Sequence, residues 1–209
     1  MTDDARAAIL ARIRAAYPDP PATVDVPRDY ARSLPADVDV VGLFAERVAD
    51  YQATVHRVAA DELARVIAEA LERRGARRLV VPSGLPDAWL AATTDVERLP
   101  DDPPLSKTEL DAADGVITGC AVAIGETGTI VLDAGEAQGR RVLSLLPDYH
   151  LCVVEAGRIV GHVAEALERL DPRRPLTWIS GPSATSDIEL QRVEGVHGPR
   201  HLEVLIVDG

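Results

Sequence analysis

ATVHRVAADELARVIAEALERRGARRLVVPSG (53–84) is the stretch whose reading decides the fold. Ala53 to Val58 alternates weakly, as a half-buried strand does. Leu63, Val66, Ile67, Ala70 and Leu71 then fall on one stripe of a helix, with Asp61 placed to cap its start and Gly75 to end it. Leu79 to Val81 opens a buried strand that stops at a Pro-Ser-Gly turn. Strand, helix, strand is the unit of a parallel sheet, with a right-handed crossover. Aromatic residues make up only 3% of the 209-residue chain, so the core has to be built from Val, Leu, Ile and Ala. That composition suits a parallel sheet covered by helices, and the expected class is α/β.

Toward the N-terminus, Val40 to Tyr51 reads as a second helix. Before it, DPPATVDVPRDYARSLPAD holds most of the five prolines found between Pro18 and Pro35 and cannot form a regular element. Residues 3–16 place Ala5, Ala8, Ile9, Ala11, Ile13 and Ala16 at helical spacing, ended by Pro18. The expected organisation is a helix and Pro-rich arm over residues 1–38 and one α/β domain over 39–209. The arm reads either as a surface linker or as a segment reaching another subunit.

Toward the C-terminus, a helical stretch is expected near Pro86 to Thr93, followed by a polar loop, a short helix and a strand in DVERLPDDPPLSKTELDAADGVIT. CAVAIGETGTIVLDA reads as two strands joined at Glu126-Thr127-Gly128. HLCVVEAGRIVG repeats that pattern about Glu155-Ala156-Gly157. VAEALERL is helical, TWIS a strand, SDIELQRV the start of another helix and HLEVLIVD the last strand.

Net charge is −12, from 34 acidic against 22 basic residues, which disfavours nucleic acid and anionic lipid as general partners. No apolar run approaches the roughly 20 residues of a membrane span. The acidic start MTDDARAAILARIRAAYP is unlike a secretory signal, so a cytoplasmic location is expected. Cys120 and Cys152 are too few for a disulfide scaffold or a cysteine-only metal site, and their apolar surroundings point to buried, inert thiols.

The chemistry-bearing signals are local. A strand running into Gly181-Pro182-Ser183 and a hydroxyl-rich turn, with Ser186 and Glu189 at capping-box spacing, offers free N–H groups and a positive dipole end to an anion. Hydroxyls that merely cap a helix are the other reading. In His197-Gly198-Pro199-Arg200-His201 the two histidines are separated by turn residues, which argues against a metal; the motif reads either as a structural turn or as a turn aiming His197 or Arg200 at an acidic ligand. Gly125-Glu126-Thr127-Gly128-Thr129 fits turn geometry, and Glu126 would be a nucleophile or base if buried; a solvated turn glutamate is the alternative. Arg140-Arg141 beside Leu-Ser-Leu-Leu-Pro reads either as guanidinium forks for carboxylate or phosphate or as surface salt bridges.

ITGCAVAIGETGTIVL (117–132), RRVLSLLPDYHLCVVEAGRIV (140–160) and ISGPSATSDIELQRVEGVHGPRHLEVLIVD (179–208) together resemble the LUD-domain family of lactate-utilisation protein C. The resemblance implies a three-layer αβα architecture with a mainly parallel sheet of the NagB/RpiA/CoA-transferase type. It also implies an accessory or regulatory place in a three-component system oxidising L-lactate to pyruvate. Iron–sulfur clusters are then expected on two partner subunits, with no cofactor and no metal in this chain. The superfamily offers an alternative, an enzyme acting on a small phosphate-, carboxylate- or CoA-bearing substrate. CoA transferases attack with the glutamate of a Glu-Asn-Gly turn, and here Thr127 stands where the amide would be. Ala184 stands where related proteins often carry Arg. The expected anion site lies between the two segments: Glu126 as the catalytic carboxylate, with Gly128, Thr129, Arg141, Gly181, Ser183, Thr185, Ser186, Asp187, His197 and Arg200 as binding residues.

Overall fold

The computed structural model describes residues 3–17, 25–186, 192–194 and 198–208. It divides into two units, Met1–Ala31 and Arg32–Gly209. The first carries helix α1 (Asp3–Ala16), on which Ile9 and Ile13 are exposed. The second opens with α2 (Val40–Asp50), β1 (Thr54–Ala59), α3 (Leu63–Arg74), β2 (Arg78–Val81), β3 (Glu97–Pro100), α4 (Lys107–Asp111) and β4 (Gly115–Thr118). It continues with β5 (Val122–Ile124), β6 (Thr129–Leu132), β7 (Tyr149–Glu155), β8 (Ile159–Val160), α5 (Val163–Arg169), β9 (Thr177–Ile179), β10 (Ala184–Ser186), β11 (Arg192–Glu194) and β12 (His201–Asp208).

The class is α/β, as expected, with a six-stranded, all-parallel sheet in the order β1-β12-β7-β4-β2-β3. α3 covers one face: Leu63, Ile67, Ala70 and Leu71 close over Leu79, Ile117, Leu151 and Leu205. Gly75 ends that helix in the left-handed conformation at φ +63°, its N–H reaching the Leu71 and Glu72 carbonyls. On the other face Phe44 and Val48 of α2 share a core with Cys152, Val154, Val204 and Ile206 and with Ala123, Ile130 and Leu132. Those last three belong to a second sheet, β8-β5-β6-β9, whose far side packs Val122, Ile124 and Val131 against Ala166 of α5. Strands β5 and β6 are therefore buried on both faces, which is why they read as unbroken apolar runs.

Several local expectations give way to tertiary context. The stretch near 86–93 is a single 3₁₀ turn, Asp87–Leu90. The segment read as a polar loop contains β3, a short edge strand whose charged side chains suit an unpaired margin. β5 and β6 form the expected hairpin, but β7 and β8 part into different sheets. Ala184–Ser186 runs antiparallel to Arg192–Glu194, with Thr185 opposite Val193; the helix expected from SDIELQRV falls mostly on residues 187–191, outside the described residues.

Candidate functional site

β6 and β9 pair antiparallel, Ile130 opposite Ile179, so the segments after Ile117 and after Ile179 meet at the edge of the second sheet. Beyond β9 the chain turns through Gly181, whose φ of +84° and close approach to Tyr51 admit only glycine: a Cβ there would lie 2.5 Å from the Tyr51 Cβ. Ser183 N–H then donates to the Pro199 carbonyl at 2.8 Å, tying the turn to the approach of β12. Between this turn, the 3₁₀ segment Arg141–Ser144 and the start of β7 lies a cleft of about 330 Å³. Arg141, Ser144, His150, Trp178, Ser180, Gly181, Ser183 and Pro199 are among its lining residues.

The cleft is polar on one wall and cationic at its rim. Thr129 Oγ1 lies 2.8 Å from both Thr127 Oγ1 and Ser180 Oγ, a hydroxyl chain joining the β5–β6 turn to the cleft wall. Arg141 is exposed and, among the described residues, its guanidinium pairs with no carboxylate. Its neighbour Arg140 is committed elsewhere, gripping Asp101 through Nε and Nη2 at 2.7 and 2.8 Å. Burial pushes the Asp101 carboxyl up, but the Arg140 hydrogen bonds and the Leu105 N–H outweigh it and hold the carboxyl below its usual range.

His150 forms the floor. It is 1% exposed, and its Nε2 lies 2.8 Å from Thr118 Oγ1. Burial pushes its pKa down to about 4, so the ring is neutral at pH 7. The folded value lies below the unfolded one near 6.5, so the unfolded chain binds the extra proton first as pH falls. The stability conferred by the neutral ring is thus complete above pH 6.5 and is lost from there down to about pH 4. Urea unfolding of the protein should show a loss of about 2–3 kcal/mol between pH 7 and 4.5 that a His150→Gln variant lacks. Equal losses in both proteins would refute the assignment. Cys152, beside His150 in the network, has its thiol pushed up to about 12 by burial, and Cys120 is likewise buried and raised, as expected of inert thiols.

Of the residues expected at the site, Arg141, Gly181 and Ser183 line the cleft, and Thr129 reaches it through Ser180. Gly128 supplies the turn below, at φ +59°. Glu126 lies at that turn, half-exposed, with Oε2 3.2 Å from His162 Nε2, and is not among the lining residues. Arg200 directs its fork at Asp148, both bonds 2.7 Å, and holds that carboxyl below the usual range. The side chains of Thr185 and Ser186 are outside the described residues, as are Asp187 and His197 altogether. Ala184–Ser186 belongs to the β10–β11 ribbon, and the helix start expected to hold an anion just beyond it lies outside the described residues. Sequence reasoning passed over His150, Thr118, Ser144 and Ser180. One signal was present: His150 is a polar residue inside the apolar run Tyr-His-Leu-Cys-Val-Val, where every position of the strand but the last is buried.

A model of the LUD domain matches residues 41–207. The chain is 55% identical over 173 residues to lactate utilization protein C of Deinococcus radiodurans, covering 81% of this chain and 80% of that one. It is 42% identical over 91 residues to the Escherichia coli protein YkgG, covering 40% and 39% of the two chains. The crystal structure of a DUF162 family protein from Deinococcus radiodurans matches with a TM-score of 0.70 at 46% identity, covering 81% of this chain and 96% of that one.

Proposed function

The chain belongs to the LUD-domain family, and from that premise we propose that it serves lactate utilisation as an accessory or regulatory component of an iron–sulfur L-lactate oxidation system, binding a small carboxylate in the Arg141 cleft. The iron–sulfur clusters of such a system reside on partner subunits, and the assembly works in the cytoplasm. Among the described residues no helix is long and apolar enough to cross a membrane. The name borne by the Deinococcus radiodurans relative supports the pathway.

The observation that carries the site is the Arg141 guanidinium, without a carboxylate partner among the described residues, beside neutral donors in an otherwise acidic protein. A planar fork binds carboxylate in two parallel hydrogen bonds, and the Ser180 and Ser183 hydroxyls lie on the same cleft. Thermal and urea unfolding with L-lactate, pyruvate and inorganic phosphate tests it. A carboxylate at a hundred times its Kd should stabilise the protein by about 2.7 kcal/mol, and Arg141→Gln should abolish the effect while leaving the ligand-free protein unchanged. Stabilisation by neither acid, or stabilisation undiminished in the variant, would remove the anion site. Pull-down of the tagged chain from lactate-grown cells should bring down iron–sulfur subunits, recognised by their visible absorbance; a colourless eluate would remove the assembly.

A further inference from the structure

Resting on the carboxylate reading of the cleft, we infer that the cleft selects 2-hydroxycarboxylates over 2-oxocarboxylates, because His150 presents to the ligand a ring nitrogen, Nδ1, that carries no proton and only accepts. The inference follows from counting hydrogens along a buried chain of four groups. Cys152 Sγ lies 3.8 Å from the Gly119 carbonyl oxygen, which accepts only, so the thiol hydrogen is spent there. Thr118 Oγ1 lies 3.8 Å from the same sulfur and donates to it. With the hydroxyl hydrogen directed at sulfur, Thr118 Oγ1 meets His150 Nε2, 2.8 Å away, through a lone pair. Nε2 therefore carries the hydrogen. Reversing the Thr118–His150 bond would take the threonine hydrogen away from the sulfur and leave the chain one bond shorter.

A neutral imidazole has one N–H, so Nδ1 is bare. The ring's depressed pKa keeps it so at neutral pH. Nδ1 has no partner among the described residues. Among those residues, no side-chain nitrogen or oxygen is both sealed from solvent and unpartnered, so Nδ1 reaches open space, and the open space that His150 lines is the cleft. A small acid gripped by Arg141 through its carboxylate then brings its second carbon's substituent toward an acceptor. A hydroxyl donates to it. A keto oxygen, which also only accepts, faces it lone pair to lone pair and loses both the bond and its own solvation.

Isothermal titration of the full chain with L-lactate and with pyruvate tests this, alongside the ¹⁵N resonances of His150, which report directly which ring nitrogen is protonated. The expected result is L-lactate binding roughly tenfold tighter than pyruvate, with the proton on Nε2. In Thr118→Val the Nε2 proton loses its acceptor, the proton moves to Nδ1 and the preference shifts toward pyruvate; Thr118→Ser restores it. Equal binding of the two acids, tighter pyruvate binding, or a proton on Nδ1 in the unsubstituted protein would overturn the inference and leave Arg141-dependent binding standing. Binding of neither acid would instead overturn the carboxylate reading, and this inference with it. The spectroscopic readout keeps the inference open to refutation should Thr118→Val fail to fold.

Discussion

Glu203→Ala is expected to lower the unfolding free energy by about 2–3 kcal/mol, the upper range for leaving a buried hydrogen-bonding group, here the Tyr149 hydroxyl, without its partner. Glu203 is 4% exposed, near the start of β12 on the α3 side of the parallel sheet. Its Oε2 accepts from the Tyr149 hydroxyl at 2.8 Å, and its Oε1 lies 2.7 Å from Arg73 Nη2 and 3.0 Å from His56 Nε2. Three adjacent strands, β1, β12 and β7, thus meet at one carboxylate, and α3 is pinned to them through Arg73. The Arg74 guanidinium lies over the Tyr149 ring, 5.1 Å from its centre. Burial, with the Glu203 charge beside it, raises the Tyr149 hydroxyl above its ordinary value, so this group holds its proton and donates at any working pH. Alanine would leave that buried hydroxyl without an acceptor, leave Arg73 without its carboxylate, and open a hole. Tyr149→Phe keeps the volume and should cost only about 1 kcal/mol. Urea titrations of the two variants give the comparison. A Glu203→Ala loss no greater than that of Tyr149→Phe would show that the carboxylate is not the keystone described.

Gly128→Ala should cost about 2–4 kcal/mol, while Gly75→Ala, at nearly the same backbone conformation, should cost only about 1 kcal/mol. Gly128 has φ +59° and Gly75 φ +63°, so an alanine bears similar conformational strain at either position. They differ in what surrounds them. A Cβ on Gly128 would sit 2.8 Å from the Arg47 backbone carbon and 2.9 Å from the Val48 nitrogen, so either α2 or the β5–β6 turn must move. A Cβ on Gly75 would meet nothing within 4 Å. Because Thr129 follows Gly128 and its hydroxyl contacts Ser180, Gly128→Ala should also weaken carboxylate binding, whereas Gly75→Ala should not. Unfolding and titration on both variants decide the matter. Equal stability losses would mean that packing against α2 contributes nothing.

Part of the site was legible and part was not, for identifiable reasons. Arg141, Gly181 and Ser183 were found because a guanidinium, a glycine before proline and a serine turn announce themselves locally. Arg140 and Arg141 look alike in sequence; only the fold sends Arg140 to Asp101, across 39 residues, and leaves Arg141 at the cleft. His150 was missed since a histidine inside an apolar strand reads as core until the strand's neighbours are known.

The amino-acid order alone determined the α/β class, the helix from Leu63 to its glycine stop, the β5–β6 hairpin and the kinship carried by residues 117–132, 140–160 and 179–208. The first three rest on periodicity and turn chemistry, which act over a few residues, and the kinship on the likeness of those stretches to the family. Tertiary structure alone decided that β12 inserts between β1 and β7, that a second sheet shares the face opposite α3, and that Thr118, His150 and Cys152 line up through neighbouring strands. Burial and long-range strand register produced those arrangements, and both arise only when segments distant in the chain are packed together.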